Sequence, residues 1–143
     1  MWATDLLPYF FEEYGHFKQR LQTALSGETY HIEVQDARKL GYPDSSFDKV
    51  YAISVLEHIE GDGDSVAMRE IARVLKPGGL SCLTVPAARH YSEESIAEEI
   101  YYKKPVDGKP VFYQRHYDEE SLRSRLVNPS GLELLSIEYF AER

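Results

Sequence analysis

The sequence is poor in cysteine and in basic residues, and it lacks a long apolar run. The single cysteine, Cys82, excludes an internal disulfide and a cysteine-built metal site, and the apolar run LSCLTVP around it predicts a buried side chain. Lys and Arg number 16 against 24 Asp and Glu, which argues against a nucleic-acid backbone as partner. The run of about 20 apolar residues that a membrane span requires is missing, so we expect a cytoplasmic protein with no membrane partner.

The composition of the chain suits one globular domain, since 43% of the 143 residues are hydrophobic. The five histidines show no metal-ligand spacing, and we expect no metal site. The charge balance and composition point to small molecules or proteins as partners.

Strand-like and helix-like patterns alternate along the first half of the chain. The alternation predicts an α/β domain with a mostly parallel sheet and helices on both faces. The predicted elements are a strand ending at Asp5, a helix within 10–25, a strand near 30–35, a strand KVYAISVL covered on both faces, a helix over 62–76 and a strand LSCLTVP. Asp64 or Ser65 is expected to cap the second helix, and Pro77, Gly78 and Gly79 to stop it.

The second half of the chain breaks this alternation. Residues 87–117 are predicted to be an insertion, with SEESIAEEIYYKK helical, near 92–103, and VFYQRHY extended. Such a long connection is typical of a lid over a substrate. DEESLRSRLV then predicts a capped amphipathic helix, and LELLSIEYF a final strand.

Three segments together carry a family resemblance: ATDLLP, VQDARKLGYPDSSFDKVYAISVLEHI and REIARVLKPGGLSCLTVP. The chain resembles the class I S-adenosylmethionine-dependent methyltransferases, particularly the small-molecule branch with the ubiquinone and menaquinone C-methyltransferases. The resemblance implies a Rossmann-like fold, S-adenosylmethionine as cofactor and methyl transfer to a small-molecule acceptor.

The resemblance also assigns the adenosine-binding residues. Asp5, with Leu6 beside it, corresponds to the acidic strand end that accepts hydrogen bonds from the ribose hydroxyls. Asp36 corresponds to the acceptor for the adenine amino group, and Ala37 to a backbone donor to the ring. The alternative for both aspartates is a turn-forming role.

The segment FDKVYAISVLEHI ends an apolar strand on a carboxylate and an imidazole. By resemblance, Ser54, Val55 and Leu56 lie at the cofactor cleft, where parallel strands end. His58 is the candidate general base, because its ordinary pKa lies near neutrality. The alternative is that His58 only packs and forms hydrogen bonds near the helix start.

The sequence departs from the family in one diagnostic element, the glycine-rich loop after the first strand. If WATD is the family's second strand, residues 1–143 are a partial domain and the fold is incomplete. Strands beside the gaps would then have unpaired edges, for which we expect a homodimer or a strand-exchanged assembly. The alternative function is a non-catalytic methyltransferase-like domain used for binding or assembly.

Overall fold

A computed structural model describes residues 2–6, 31–100 and 103–140. The chain divides into two compact units, residues 1–41 and 42–143. The helix predicted within 10–25 lies outside the described residues.

The first unit contains a pair of parallel strands, as the sequence predicts. Strand β1 (Trp2–Asp5) pairs with β2 (His31–Val34), and Asp5 stands opposite Val34. The Trp2 and His31 rings stack with centroids 4.1 Å apart, and the Gln35 N–H donates to the Asp5 carbonyl at 2.8 Å. The strands are parallel, so both carboxyl ends lie at one edge of the ladder.

The second unit begins with a strand, a helix and a parallel strand. These are β3 (Phe47–Ile53), α1 (Gly63–Val74) and β4 (Leu75–Thr84). A 3-10 turn (Leu56–His58) follows β3. The buried residues of the unit are Ala52, Leu56, Ala67, Met68, Ile71, Val74, Leu75, Ile96, Tyr117 and Leu126, with the polar residues Glu57, Asp64, Arg115 and Ser121.

The expected ends of α1 were wrong in detail. The helix begins after Asp62, which makes no side-chain capping bond, and the Asp64 carboxylate instead accepts from other elements. The helix ends at Val74, and residues 76–79 bulge out of β4, since Phe47 stands opposite Leu75 but Lys49 opposite Leu80. Within the bulge, a Cβ on Gly79 would lie 3.0 Å from the Asp48 carbonyl oxygen, so only glycine fits without a shift.

The segment PDSSFD caps the carboxyl end of α1. The backbone N–H groups of Ser45 and Ser46 donate to the Arg73 and Val74 carbonyls at 3.0 and 2.8 Å. Arg73 in turn donates to the Asp44 carboxylate at 2.8 Å. The last carbonyls of the helix are therefore satisfied by the loop that leads into β3.

Strand β3 is buried on one face only, contrary to the prediction. Ala52 is buried, whereas Tyr51 and Ile53 on the opposite face are 65% and 56% exposed. Cys82 stands beside Tyr51 in the ladder and is also exposed, so its predicted burial was wrong. An apolar run predicts a strand, but it does not say which neighbours cover its faces.

Residues 92–96 form a strand, so the helix predicted near 92–103 is wrong. Strand β5 (Ser92–Ile96) pairs antiparallel with β6 (Val111–His116), which confirms the extended VFYQRH segment. Across the ladder Gln114 donates to Glu94 at 2.8 Å. Pairing with a distant strand overrides the local helix preference of the acidic segment.

The helix predicted from DEESLRSRLV is present and continues beyond this segment into residues 128–130, so that it has three pieces. They are α2 (Glu119–Leu122), a π-helical turn (Arg123–Val127) and α3 (Asn128–Ser130). Asp118 and Ser121 form a capping box at its start, and the Ser121 N–H donates to the Asp118 carboxylate at 2.8 Å.

The strand predicted over 132–140 is absent, because these residues have no strand partner within the described chain. Their apolar side chains Leu135, Tyr139 and Phe140 are exposed. An extended segment needs a neighbour for its backbone groups before it becomes a strand.

A buried ionic cluster joins α1, β6 and the π-helical turn. The fully buried Asp64 carboxylate accepts from Arg125 at 2.8 Å and from the Tyr117 hydroxyl at 2.9 Å, and it lies 3.1 Å from Arg115. Arg115 is also fully buried and donates to the carbonyls of Ile59 and Gly61 at 2.7 and 3.0 Å. Burial, together with the Asp64 charge, raises the pKa of Tyr117 well above its usual range and keeps it a hydrogen-bond donor.

We expect Asp64→Asn to lower the free energy of unfolding by about 3–5 kcal/mol, because the anion that the buried Arg115 then keeps in the described chain is the half-exposed Glu93, 3.7 Å away. Asp62→Asn, the same change at an exposed position two residues away, should cost less than about 0.5 kcal/mol. Tyr117→Phe is a milder variant and should cost about 1.5–3 kcal/mol. Urea titration measures all three, and equal midpoints for the Asp64 and Asp62 variants would contradict the cluster's role.

The sheet edges lead to a second prediction. Within residues 42–100 and 103–140, β3 has β4 as its one strand neighbour. An open strand edge favours pairing with another chain, so we expect a dimer by sedimentation at micromolar concentration. Tyr51→Lys adds a charge to this strand and should weaken association. A monomer in which both edges of β3 resist hydrogen exchange would disprove the prediction.

Candidate functional site

The first unit places two acidic residues at one edge of its ladder. Asp5 ends β1, and Asp36 follows β2 by two residues. Leu6 is exposed beside Asp5, and Ala37 lies in the turn that Asp36 opens, with the Lys39 N–H donating to the Asp36 carbonyl at 2.9 Å. Carboxylate oxygens accept hydrogen bonds, so this edge offers acceptors to hydroxyl and amino groups of a ligand.

The Asp36 carboxylate is already engaged by a neighbour. Its two oxygens accept from the Arg38 guanidinium at 2.7 to 3.1 Å, and one of them also accepts from the Arg38 backbone N–H at 2.9 Å. The Arg38 hydrogen bond lowers the pKa of this carboxyl group. Asp36 therefore shapes its own turn, and a ligand would share these two oxygens with Arg38.

In the second unit, β3 ends in a tightly fixed turn. Ser54 has φ +53°, a left-handed conformation that is uncommon for a residue with a side chain. Its N–H donates to the Thr84 hydroxyl at 3.0 Å, and its own hydroxyl donates to Glu57 at 2.6 Å. The strained turn is thus held by β4 on one side and by a carboxylate on the other.

The 3-10 turn uses its own backbone carbonyls. Val55 and Leu56 accept from the N–H groups of His58 and Ile59 at 3.1 and 3.2 Å. Leu56 is buried, whereas the Val55 side chain is partly exposed. These two carbonyls, which the resemblance directs at the methionine part of the cofactor, therefore also serve the turn itself.

The His58 ring has a defined protonation pattern. Nδ1 lies 3.0 Å from the Tyr113 carbonyl oxygen. A carbonyl oxygen only accepts, so Nδ1 carries the hydrogen and the lone pair of the neutral ring lies on Nε2. The side chain is 30% exposed, which leaves it accessible to a ligand.

Lys103, from the segment 87–117, shares the Tyr113 carbonyl with His58. Its ammonium donates to the carbonyls of His58 and Tyr113, both at 3.0 Å, and to that of Phe112 at 3.2 Å. Burial lowers the pKa of Lys103. The sequence carries no signal for these contacts with His58, because each joins a side chain to a backbone carbonyl more than forty residues away.

Glu57 is the middle residue of the same 3-10 turn. Its side chain is 1% exposed, and Oε1 lies 3.9 Å from His58 Nε2. The other oxygen, Oε2, has no hydrogen-bond partner within the described part of the chain. The second unit therefore places together Ser54, Glu57 and His58, and the first unit places together Asp5 and Asp36.

A model of the methyltransferase domain family matches residues 2–83, more than half of the chain, and the chain therefore belongs to this family. It is a class I S-adenosylmethionine-dependent methyltransferase by family, with a Rossmann-like fold, and S-adenosylmethionine is the family's cofactor.

Two curated bacterial methyltransferases match a short part of the chain. Methyltransferase GfsG of Streptomyces halstedii is 51% identical over 48 residues, which are 34% of this chain and 16% of that protein. The 27-O-demethylrifamycin SV methyltransferase of Amycolatopsis mediterranei is 47% identical over 48 residues, 34% of this chain and 17% of that protein. The match thus spans about one sixth of each relative.

A solved structure matches more of the fold. The S-adenosylmethionine-dependent methyltransferase from Methanosarcina mazei has a TM-score of 0.64 at 18% identity, covering 90% of this chain and 67% of that chain. At this identity the likeness concerns the fold alone.

The described residues contain no group of three or more His, Cys, Asp or Glu that could hold a metal ion. None of the helices described is both long enough and apolar enough to cross a membrane.

Proposed function

We propose that the chain transfers a methyl group from S-adenosylmethionine to a small-molecule acceptor, with Nε2 of His58 as general base. The observation that carries the proposal is the contact between His58 Nδ1 and the Tyr113 carbonyl, which leaves Nε2 as the lone-pair nitrogen. A small acceptor is supported by the family resemblance and by the substrate named for the rifamycin-type relative.

By the family resemblance, the described residues of each unit offer polar groups of the kind that the cofactor needs. Asp5 would accept from the ribose hydroxyls and Asp36 from the adenine amino group, with the Ala37 N–H as a donor to the ring. Ser54, Val55 and Leu56 would line the methionine part at the end of β3. When bound, S-adenosylmethionine supplies an activated methyl group.

The chain's own residues supply position and proton transfer. His58 Nε2 takes the proton that the acceptor's nucleophilic atom releases, and the Tyr113 carbonyl keeps the ring in the required orientation. Lys103 holds that carbonyl in place. The rest of the rate enhancement would come from holding the acceptor in line and excluding water.

The alternative is a methyltransferase-like domain that binds or assembles without catalysis. Isothermal titration calorimetry with S-adenosylmethionine separates the two. Micromolar binding favours the proposal, and no binding at millimolar cofactor favours the alternative.

We predict different effects from two substitutions in the candidate site. Asp36→Ala should weaken cofactor binding by about ten-fold or more, because a hydrogen bond to a charged group is worth about 1.5–3 kcal/mol. His58→Ala should leave cofactor binding nearly unchanged and reduce kcat by about 10²-fold or more, since it removes the base. Calorimetry and single-turnover assays give the two values. Equal loss of cofactor affinity in both variants would refute the assigned roles.

We also propose that residues 87–117 cover the acceptor, with movement confined to a turn. Arg115 and Tyr117 are buried, so the end of this segment is fixed, whereas the turn at Val106–Lys109 is exposed and contains Asp107 and Gly108 at positive φ. We expect amides of residues 106–109 to exchange faster than those of 111–117 and of β3. Mass-spectrometric hydrogen exchange measures this, and equal protection in all three segments would exclude a moving cover.

A further inference from the structure

We propose that Glu57 is a positioning residue that acts through His58, its buried carboxylate stabilising the imidazolium that His58 becomes when it takes a proton. The proposal rests on the proposed function, in which His58 Nε2 is the base. It assigns a role to a residue that does not touch the acceptor.

The Glu57 carboxylate is buried without a cation bonded to it in the described chain. Its side chain is 1% exposed, yet one oxygen accepts only from the neutral Ser54 hydroxyl and the other has no partner in the described chain. Within the described residues His58 is the one basic side chain within 4.0 Å of it. A buried carboxylate gains from a nearby cation, so it favours the charged form of this ring.

The distance between the Glu57 carboxylate and the His58 ring suits charge attraction without a hydrogen bond. Oε1 lies 3.9 Å from Nε2, which is too long for a hydrogen bond but close enough for charge attraction. The Nε2 lone pair therefore stays available to the acceptor. Nδ1 is held separately by the Tyr113 carbonyl.

A positive charge, the Lys103 ammonium, also lies near the His58 ring and opposes its protonation. The Lys103 ammonium donates to the His58 and Tyr113 carbonyls, and it disfavours a second cation nearby. The exposed Glu60 acts on Lys103 and raises its pKa against the effect of burial. Glu57 is the anion placed against the ring itself, so it can offset Lys103 where the proton arrives.

The test compares Glu57→Gln with Glu133→Gln, the same substitution at an exposed position outside the turn. Glutamine at 57 keeps an oxygen to accept from the Ser54 hydroxyl, so the turn after β3 is retained while the charge is lost. ¹⁵N NMR of the His58 ring at pH 6.5, on the full chain without cofactor, reports the imidazolium fraction. We expect that fraction to fall in Glu57→Gln and to stay at the wild-type value in Glu133→Gln.

Kinetics on the same proteins give the second measurement. Glu57→Gln should lower kcat about ten-fold with KM for S-adenosylmethionine unchanged, and Glu57→Asp, which keeps the charge, should recover part of the loss. An unchanged His58 spectrum in Glu57→Gln overturns the proposal whether or not the chain is active. A changed spectrum in a chain without methyl transfer retains the Glu57–His58 coupling and overturns the proposed function alone.

Discussion

The arrangement of the second unit depends on the buried carboxylate of Asp64. It compensates Arg115, a fully buried cation that would otherwise be too costly to place in the interior. Arg115 also donates to the Ile59 and Gly61 carbonyls, directly after the 3-10 turn. The ionic cluster therefore fixes β6 against that turn. Tyr113 lies two residues before Arg115 on the same strand, so the carbonyl that orients His58 is delivered by the same interaction.

The first half of the fold could be predicted because its patterns are local. The apolar run before Ser54, the helix before Pro77 and the acidic ends of β1 and β2 are set by residues close in sequence. The capping box of Asp118 and Ser121 is likewise a local signal. The strand at 92–96 and the irregular 132–140 were not predictable, since a strand is defined by a partner that can be distant. The acidic run SEESI favours a helix alone and becomes a strand only beside β6.

The candidate site also contains residues that local motifs predict and residues that they do not. His58 and Asp36 were found because they stand in short motifs that carry the resemblance. The structure adds that Asp36 closes a turn with Arg38, which is the turn-forming alternative for this residue. Tyr113 and Lys103 left no trace in the sequence. Tyr113 contributes a backbone carbonyl, which any residue could supply, and Lys103 is one of two adjacent lysines in a polar segment.

The two nitrogens of the His58 ring face different groups, a neutral carbonyl at Nδ1 and a carboxylate near Nε2. A carboxylate at Nδ1 would fix the tautomer and supply charge at once, but here the fixing partner is a neutral carbonyl. The charge comes instead from Glu57, offset by 3.9 Å from Nε2. Orientation and charge compensation are thereby separated. Because the neutral carbonyl is shared with the Lys103 ammonium, it is a weaker acceptor for His58 than it would be alone, and the ring gains its support for a positive charge from Glu57. The Glu57 carboxylate is nearly fully buried in the 3-10 turn after β3, and in that low-dielectric setting its charge acts more strongly on the imidazole than it would at the surface.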